Sequence, residues 1–225
     1  MIELYHVYKQ YIKNQFALID INFTIEKGEF VFLTGASGAG KTTLLKLLFK
    51  EELPSKGQIL IDSENISLTH PGKLYKIRRK LGIVFQDFKL LDNRTIFENV
   101  AIPLMIRGIR KTAIDRSVND ALALVGLTHR KYYIPPHVSG GEQQRVAIAR
   151  AIVANPKILL ADEPTGNLDT ELSIEILKIF ERINANGVTV LIATHDDHLM
   201  RLFPKRVLKL DRGKLVYHQE REALP

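Results

Sequence analysis

Cysteine is absent from the chain, which excludes disulfides and thiolate-bound metals and suits a reducing compartment. No apolar run approaches the ~18 residues of a spanning helix, so any membrane role is expected to come through a partner. No secretory signal is expected either, since Met1-Ile2-Glu3-Leu4 reads as strand-like alternation. There is no internal repeat, heptad run or low-complexity linker, and nothing marks a long coiled coil. Acidic residues are in deficit, with 25 Asp+Glu against 32 Lys+Arg and a formal charge of +7. That balance raises nucleic acid or anionic lipid as partners. The basic residues are scattered, however, locally dense only over 73–80 and 205–214, and not interleaved with stacking aromatics. Direct nucleic-acid binding is not expected; a solvated basic face, near a membrane surface, is.

What is present is a globular composition, 225 residues with 45% hydrophobic and 25% charged, enough for one α/β domain with or without a subdomain. Its most informative stretch is Gly35-Ala36-Ser37-Gly38-Ala39-Gly40-Lys41-Thr42-Thr43. The apolar run Phe30-Val31-Phe32-Leu33 before it reads as a buried strand, and Leu44-Leu45-Lys46-Leu47-Leu48 after it reads as a helix on the core. Strand, glycine loop and helix are the context that gives G-x-x-x-x-G-K-[ST] its meaning. Glycines let successive N–H groups curl around a phosphate, and the helix N-terminus adds partial positive charge. Lys41 is then expected on the outer phosphates and the Thr42 hydroxyl on Mg²⁺.

Period-two alternation before residue 30 predicts antiparallel strands ahead of the loop, and Leu81-Gly82-Ile83-Val84-Phe85 a further strand ending at Gln86. Strand signals stop from 87 to about 136, where helix-spaced apolar residues cover 95–106 and 112–125. Ser139-Gly140-Gly141-Glu142 opens another helix, with Ser139 as N-cap and Glu142 three residues on. Lys157-Ile158-Leu159-Leu160-Ala161 is a buried strand presenting Asp162 and Glu163, and Val188-Thr189-Val190-Leu191-Ile192 one that leads to Thr194-His195. Ligands of open α/β sheets bind outside the carboxyl ends of the strands, so Lys41, Gln86, Asp162-Glu163 and His195 should converge. Asp162 is suited to hold Mg²⁺, and Glu163 to orient and deprotonate an attacking water. Gln86 reads equally as a buried amide or as a sensor of Mg²⁺ and water. His195 and His198, without a sulfur partner, make a weak metal pair; a lone His195 near the γ-phosphate explains its position better. Ser139 to Glu142 repeats the anion-binding logic of the first loop. It is either a plain helix cap or one half of a site completed between two copies.

In this combination the chain resembles the ABC-type ATPase subunits over essentially its whole length. The match runs through the phosphate loop, the glutamine loop at Gln86, the signature Val138-Ser139-Gly140-Gly141-Glu142, the strand ending in Asp162-Glu163, the crossing loop Gly166-Asn167-Leu168-Asp169 and the switch histidine His195. Val138 and Glu142 stand where the wider family most often has Leu and Gln, while the Ser and Gly that face the γ-phosphate are kept. The resemblance implies an α/β fold: a P-loop NTPase (RecA-like) core over 1–86 and 156–218, an N-terminal antiparallel β subdomain, a helical subdomain over about 87–155, and a tail at 219–225. It implies ATP hydrolysis with Mg²⁺ on Thr42, Gln86 and Asp162, an ATP-dependent homodimer, and adenine stacking on Tyr11, with Tyr8 as fallback. Residues 84–104 are similar to the cell-division branch of that family. This implies a multi-pass FtsX-like membrane partner and a place at the cytoplasmic face of the plasma membrane. Rival readings are ATPases of lipoprotein-releasing or macrolide-exporting systems, a soluble family member acting on nucleic acid or ribosomes, and a small-molecule P-loop kinase.

Overall fold

Alternation sets the first two strands of the computed structural model, which describes residues 1–12 and 15–218. In β1 (Ile2–Ile12) the side chains of Ile2, Leu4 and Val7 are buried, and in β2 (Gln15–Ile25) those of Leu18, Ile21, Phe23 and Ile25. The strands pair antiparallel with Ile2 opposite Ile25 and Leu4 opposite Phe23, so one face of the ribbon is apolar. β4 (Lys56–Ile61) pairs with the other edge of β1, and the two-residue β5 (Glu64–Asn65) closes a sheet of order β2-β1-β4-β5.

The second sheet carries β3 (Phe30–Thr34), β6 (Leu81–Val84), β7 (Ile158–Asp162), β8 (Thr189–Ala193) and the hairpin of β9 (Arg206–Asp211) and β10 (Lys214–His218), in the order β10-β9-β3-β8-β7-β6. All neighbours from β9 to β6 are parallel. Buried on both faces, such strands need continuous apolar runs. Phe30 and Phe32 enter one apolar cluster with Leu159, Ala161, Val190 and Ile192, while Val31 and Leu33 enter a second with Ile158, Leu160, Leu191 and Ala193. Against the second cluster pack the antiparallel sheet and α1 (Lys41–Leu48), through Leu44, Leu45, Leu47 and Leu48.

The first cluster is covered by α3 (Ile96–Ile106), α4 (Lys111–Leu124), α5 (Gly140–Ile152) and α6 (Thr170–Ala185). Short α2 (Leu74–Arg78) precedes β6, and α7 (Asp197–Leu202) follows β8. Helix starts are chemically marked. Thr95 Oγ1 accepts from the Glu98 N–H at 3.1 Å and Glu98 Oε2 from the Thr95 N–H at 2.7 Å. Ser139 and Glu142 form the same reciprocal box at 3.2 and 2.9 Å. Fully buried Asn99 donates to the carbonyls of Leu91, Arg94 and Thr95 and accepts from the Leu91 N–H, tying the preceding loop to α3. The expected tail at 219–225 lies outside the described residues.

At Gly82 the backbone of β6 approaches α5 closely. A Cβ there would lie 2.5 Å from the Ala151 carbonyl oxygen and 3.0 Å from Pro156 Cγ. Overpacking against backbone costs about 1–3 kcal/mol, and in a domain of this size each kcal/mol moves the melting temperature by about 2–4 °C. Gly82→Ala is therefore expected to lower the thermal midpoint by several degrees; an unchanged midpoint would show that α5 does not bear on β6.

Candidate functional site

All parallel strands present their carboxyl ends at one edge, and the loop after β3 lies there. Gly35, Gly38 and Gly40 hold φ of +146°, +77° and +110°. At Gly35 a Cβ would meet the Leu210 carbonyl oxygen at 2.3 Å, and at Gly40 both the Ala17 carbonyl oxygen and Leu18 Cδ2 at 2.8 Å. Strands β9 and β2 thus press the loop from two sides, and only glycine fits. The hairpin tip fixes it further: the Gly213 N–H donates to the Ala39 carbonyl at 3.1 Å, and the Ile19 N–H donates to the Gly213 carbonyl at 2.7 Å. Ala39 is buried beneath the loop. Gly40 caps α1 without a side-chain acceptor, so the N–H groups of the first turn face outward as an anion site.

Lys41 is 7% exposed. Its Nζ donates to the Gly35 carbonyl at 2.7 Å and stands 3.5 Å from Glu163 Oε1. Glu163 Oε2 is 2.8 Å from His195 Nδ1. These three side chains, with Ser37, Gly38, Gly40, Thr42, Thr43 and Gln86, line one cleft of about 470 Å³. Strand-end residues from β3, β6, β7 and β8 therefore converge as the topology requires.

Asp162 and Glu163 diverge because Glu163 takes the left-handed conformation, φ +47°, with its N–H on the Ala193 carbonyl at 2.9 Å. Glu163 lines the large cleft, Asp162 a smaller adjoining cavity of about 220 Å³, and Thr42 lines both. Asp162 Oδ1 is buried with no hydrogen-bond partner. Burial pushes its carboxyl above the ordinary aspartate value; Thr42 opposes this by hydrogen bonding, and the Glu163 charge adds to it. An unsatisfied acid beside a hydroxyl suits a hard cation. Among the described residues no group of three or more His, Cys, Asp or Glu side chains is placed to hold a metal ion, so such a cation would complete its shell with phosphate and water. Gln86 lines the large cleft.

The remaining residues do not join this cleft. Ser139, Gly141 and Glu142 line a separate one of about 210 Å³ with Leu172 and Arg145. Gly140 opens α5 beside Ser139 with open space at its Cα. Asp169 caps α6, accepting from the Leu172 N–H at 2.9 Å. Tyr11 is 52% exposed on β1 with Lys9 Nζ 4.8 Å from its ring centroid, and Tyr8 stacks edge-on with Phe16. Sequence reading missed Ala17 and Ala36, which line the large cleft; small and apolar, they carry no chemical signal. It also missed Arg150 on α5, which donates to the Phe88 and Lys89 carbonyls at 2.5 Å each. Those two residues, just after Gln86, both hold positive φ.

The ABC transporter family profile matches residues 18–166, and the chain belongs to that family of ATP-hydrolysing cassettes. Within it, the chain is 49% identical to the cell division ATP-binding protein FtsE of Escherichia coli K12 over 96% of its own length and 97% of the relative's. It is 48% identical to FtsE of Mycobacterium tuberculosis, over 98% and 96% respectively. Its fold is similar to a dimeric bacterial ABC transporter cassette, TM-score 0.89 and 36% identity with 98% of each chain covered. A dimeric post-hydrolysis cassette bound to ADP and Pi matches with the same TM-score and coverage at 35% identity.

Because the Asp162 pKa is raised in the fold, the protonated form is the stabilised one. That contribution is present at low pH and lost as pH rises through the folded-state value. Near neutrality the bare carboxylate costs stability. Asp162→Asn is expected to raise the thermal midpoint of the nucleotide-free chain by about 2–4 °C at neutral pH, the effect of ~1 kcal/mol, and by less as pH falls. A variant that melts below the parent at neutral pH would contradict this.

Proposed function

We propose that two copies of the chain bind two ATP molecules between the Lys41 loop of one and the Ser139 helix of the other, and that hydrolysis drives a membrane partner. The reading is carried by one observation: the two phosphate-type helix starts line different clefts of the same chain. Ser139 Oγ accepts from the Glu142 N–H, which leaves its O–H to donate to a phosphate oxygen of the facing copy. Dimeric cassettes among the similar structures support the arrangement.

In the cleft the phosphates take the N–H groups of Gly38, Gly40 and the first turn of α1, and Lys41 exchanges the Gly35 carbonyl for their charge. Thr42, Asp162 and Gln86 hold Mg²⁺, which when bound neutralises phosphate charge. Glu163, fixed by His195, orients and deprotonates the attacking water. Asp169 belongs to the loop that crosses between copies, and Tyr11 stacks the adenine from the N-terminal strands.

The region from Gln86 to Leu104, at the start of the helical subdomain over about 87–155, passes the movement driven by hydrolysis to the partner, an FtsX-like multi-pass membrane protein. No helix among the described residues is long and apolar enough to cross a membrane, in keeping with peripheral attachment at its cytoplasmic face. The likeness to FtsE proteins supports a role in cell division, through partner movement that controls peptidoglycan hydrolases.

Glu163→Gln keeps the shape and removes the base, so turnover is expected to fall by about 10²–10⁴-fold while ATP-dependent dimers accumulate. Phosphate release and size-exclusion chromatography with and without ATP measure both. Normal turnover by the variant would overturn the assignment of Glu163.

A further inference from the structure

Two stretches of the chain carry cations and no carboxylate at all. Residues 66–80 hold Lys73, Lys76, Arg78, Arg79 and Lys80; residues 99–114 hold Arg107, Arg110 and Lys111. The fold stitches them into one face: Arg107 donates to the Arg79 carbonyl at 2.8 Å, at the C-terminal ends of α3 and α2. Burial, and then the Arg79 charge, holds the Arg107 guanidinium below its usual pKa, so like charges are crowded here. Of the cations named, Lys80 is relieved by Asp62 and Glu64. They are engaged by Lys80 at 3.0 and 2.9 Å, and Asp62 also by Lys157 at 2.7 Å.

The two stretches that Arg107 joins also expose large apolar side chains: Leu68 at 82% and Tyr75 at 51% in the first, Ile106 at 79%, Met105 at 61% and Ile109 at 41% in the second. None of them lines any of the clefts described above. Aliphatic side chains ringed by Lys and Arg fit the boundary of a bilayer, where the chains enter the acyl region and the cations meet headgroup phosphates. A nucleic acid would need π-faces for its bases. Four of the five exposed groups are aliphatic, and the fifth, Tyr75, is covered by Arg79 at 5.1 Å.

We propose that the face formed by α2, the C-terminal end of α3 and their flanking loops docks directly on an anionic phospholipid surface. This contact is additional to any protein partner and would hold the cassette against the membrane in a fixed orientation. It rests on charge and exposure outside the nucleotide cleft, so it stands or falls separately from the ATPase reading.

Flotation of the full chain with phosphatidylcholine vesicles, with and without phosphatidylglycerol, tests it, alongside ATPase activity in solution. The chain is expected to float only with the anionic vesicles, and less so at high salt. Arg78→Glu with Arg79→Glu should weaken partitioning by about fivefold or more per cation. Met105→Ser with Ile106→Ser should also weaken it while the charges remain. Lys209→Glu with Lys214→Glu, on the opposite edge of the parallel sheet, should float like the parent, and all these variants should retain ATPase activity. Equal binding to neutral vesicles, no binding to either, an equal loss from the 209/214 pair, or recruitment only to membranes containing a partner protein would each overturn the proposal.

Discussion

The N–H groups left unpaired at the start of α1 are the constraint around which this fold is arranged. No side chain caps that helix, and of the three left-handed glycines before it Gly35 and Gly40 must be glycine because β9 and β2 press directly on the loop. A loop held from both sides keeps its donors aimed at one point before any ligand arrives, and such preorganisation is what gives electrostatic recognition its strength. The parallel sheet then brings Gln86, Asp162, Glu163 and His195 to the same edge, since every one of them lies at or just past the carboxyl end of a strand.

A second constraint runs through α5. Its first residue follows the Ser139 cap, and ten residues after Gly140 its Arg150 grips the carbonyls of Phe88 and Lys89. Those residues hold positive φ, a conformation that costs energy unless the surroundings enforce it. The helix that would meet a facing copy's phosphate is thereby tied to the segment carrying Gln86. Any movement of α5 would therefore have a direct mechanical route, through Arg150, to residues 88 and 89.

Much of the fold could be read in advance because its cues are local. Continuous apolar runs mark β3, β7 and β8, and reciprocal Ser139 and Glu142 mark the start of α5. What escaped reading depends on distant contacts or on very short elements. Five-residue α2 has too few turns to show a period, and β5 has two residues. Arg150 meets a loop some sixty residues away, Asn99 works through backbone carbonyls, and Ala17 contributes shape alone. The juxtaposition of Lys41, Glu163 and His195 followed from strand-end logic. The place of Tyr11 followed from resemblance only, and the structure leaves its ring under Lys9 and outside the cleft.

The central claim is that the Lys41 cleft is half of a site, completed by Ser139 of a second copy. A chain without cysteine allows a direct measurement. Ser37→Cys and Ser139→Cys, each in a Glu163→Gln background, can be mixed and treated with a short thiol cross-linker, with and without ATP. The account predicts a covalent dimer that requires ATP and requires both cysteines. Cross-linking that ignores ATP, or its absence from the mixture when ATP-bound dimers are present, would contradict it.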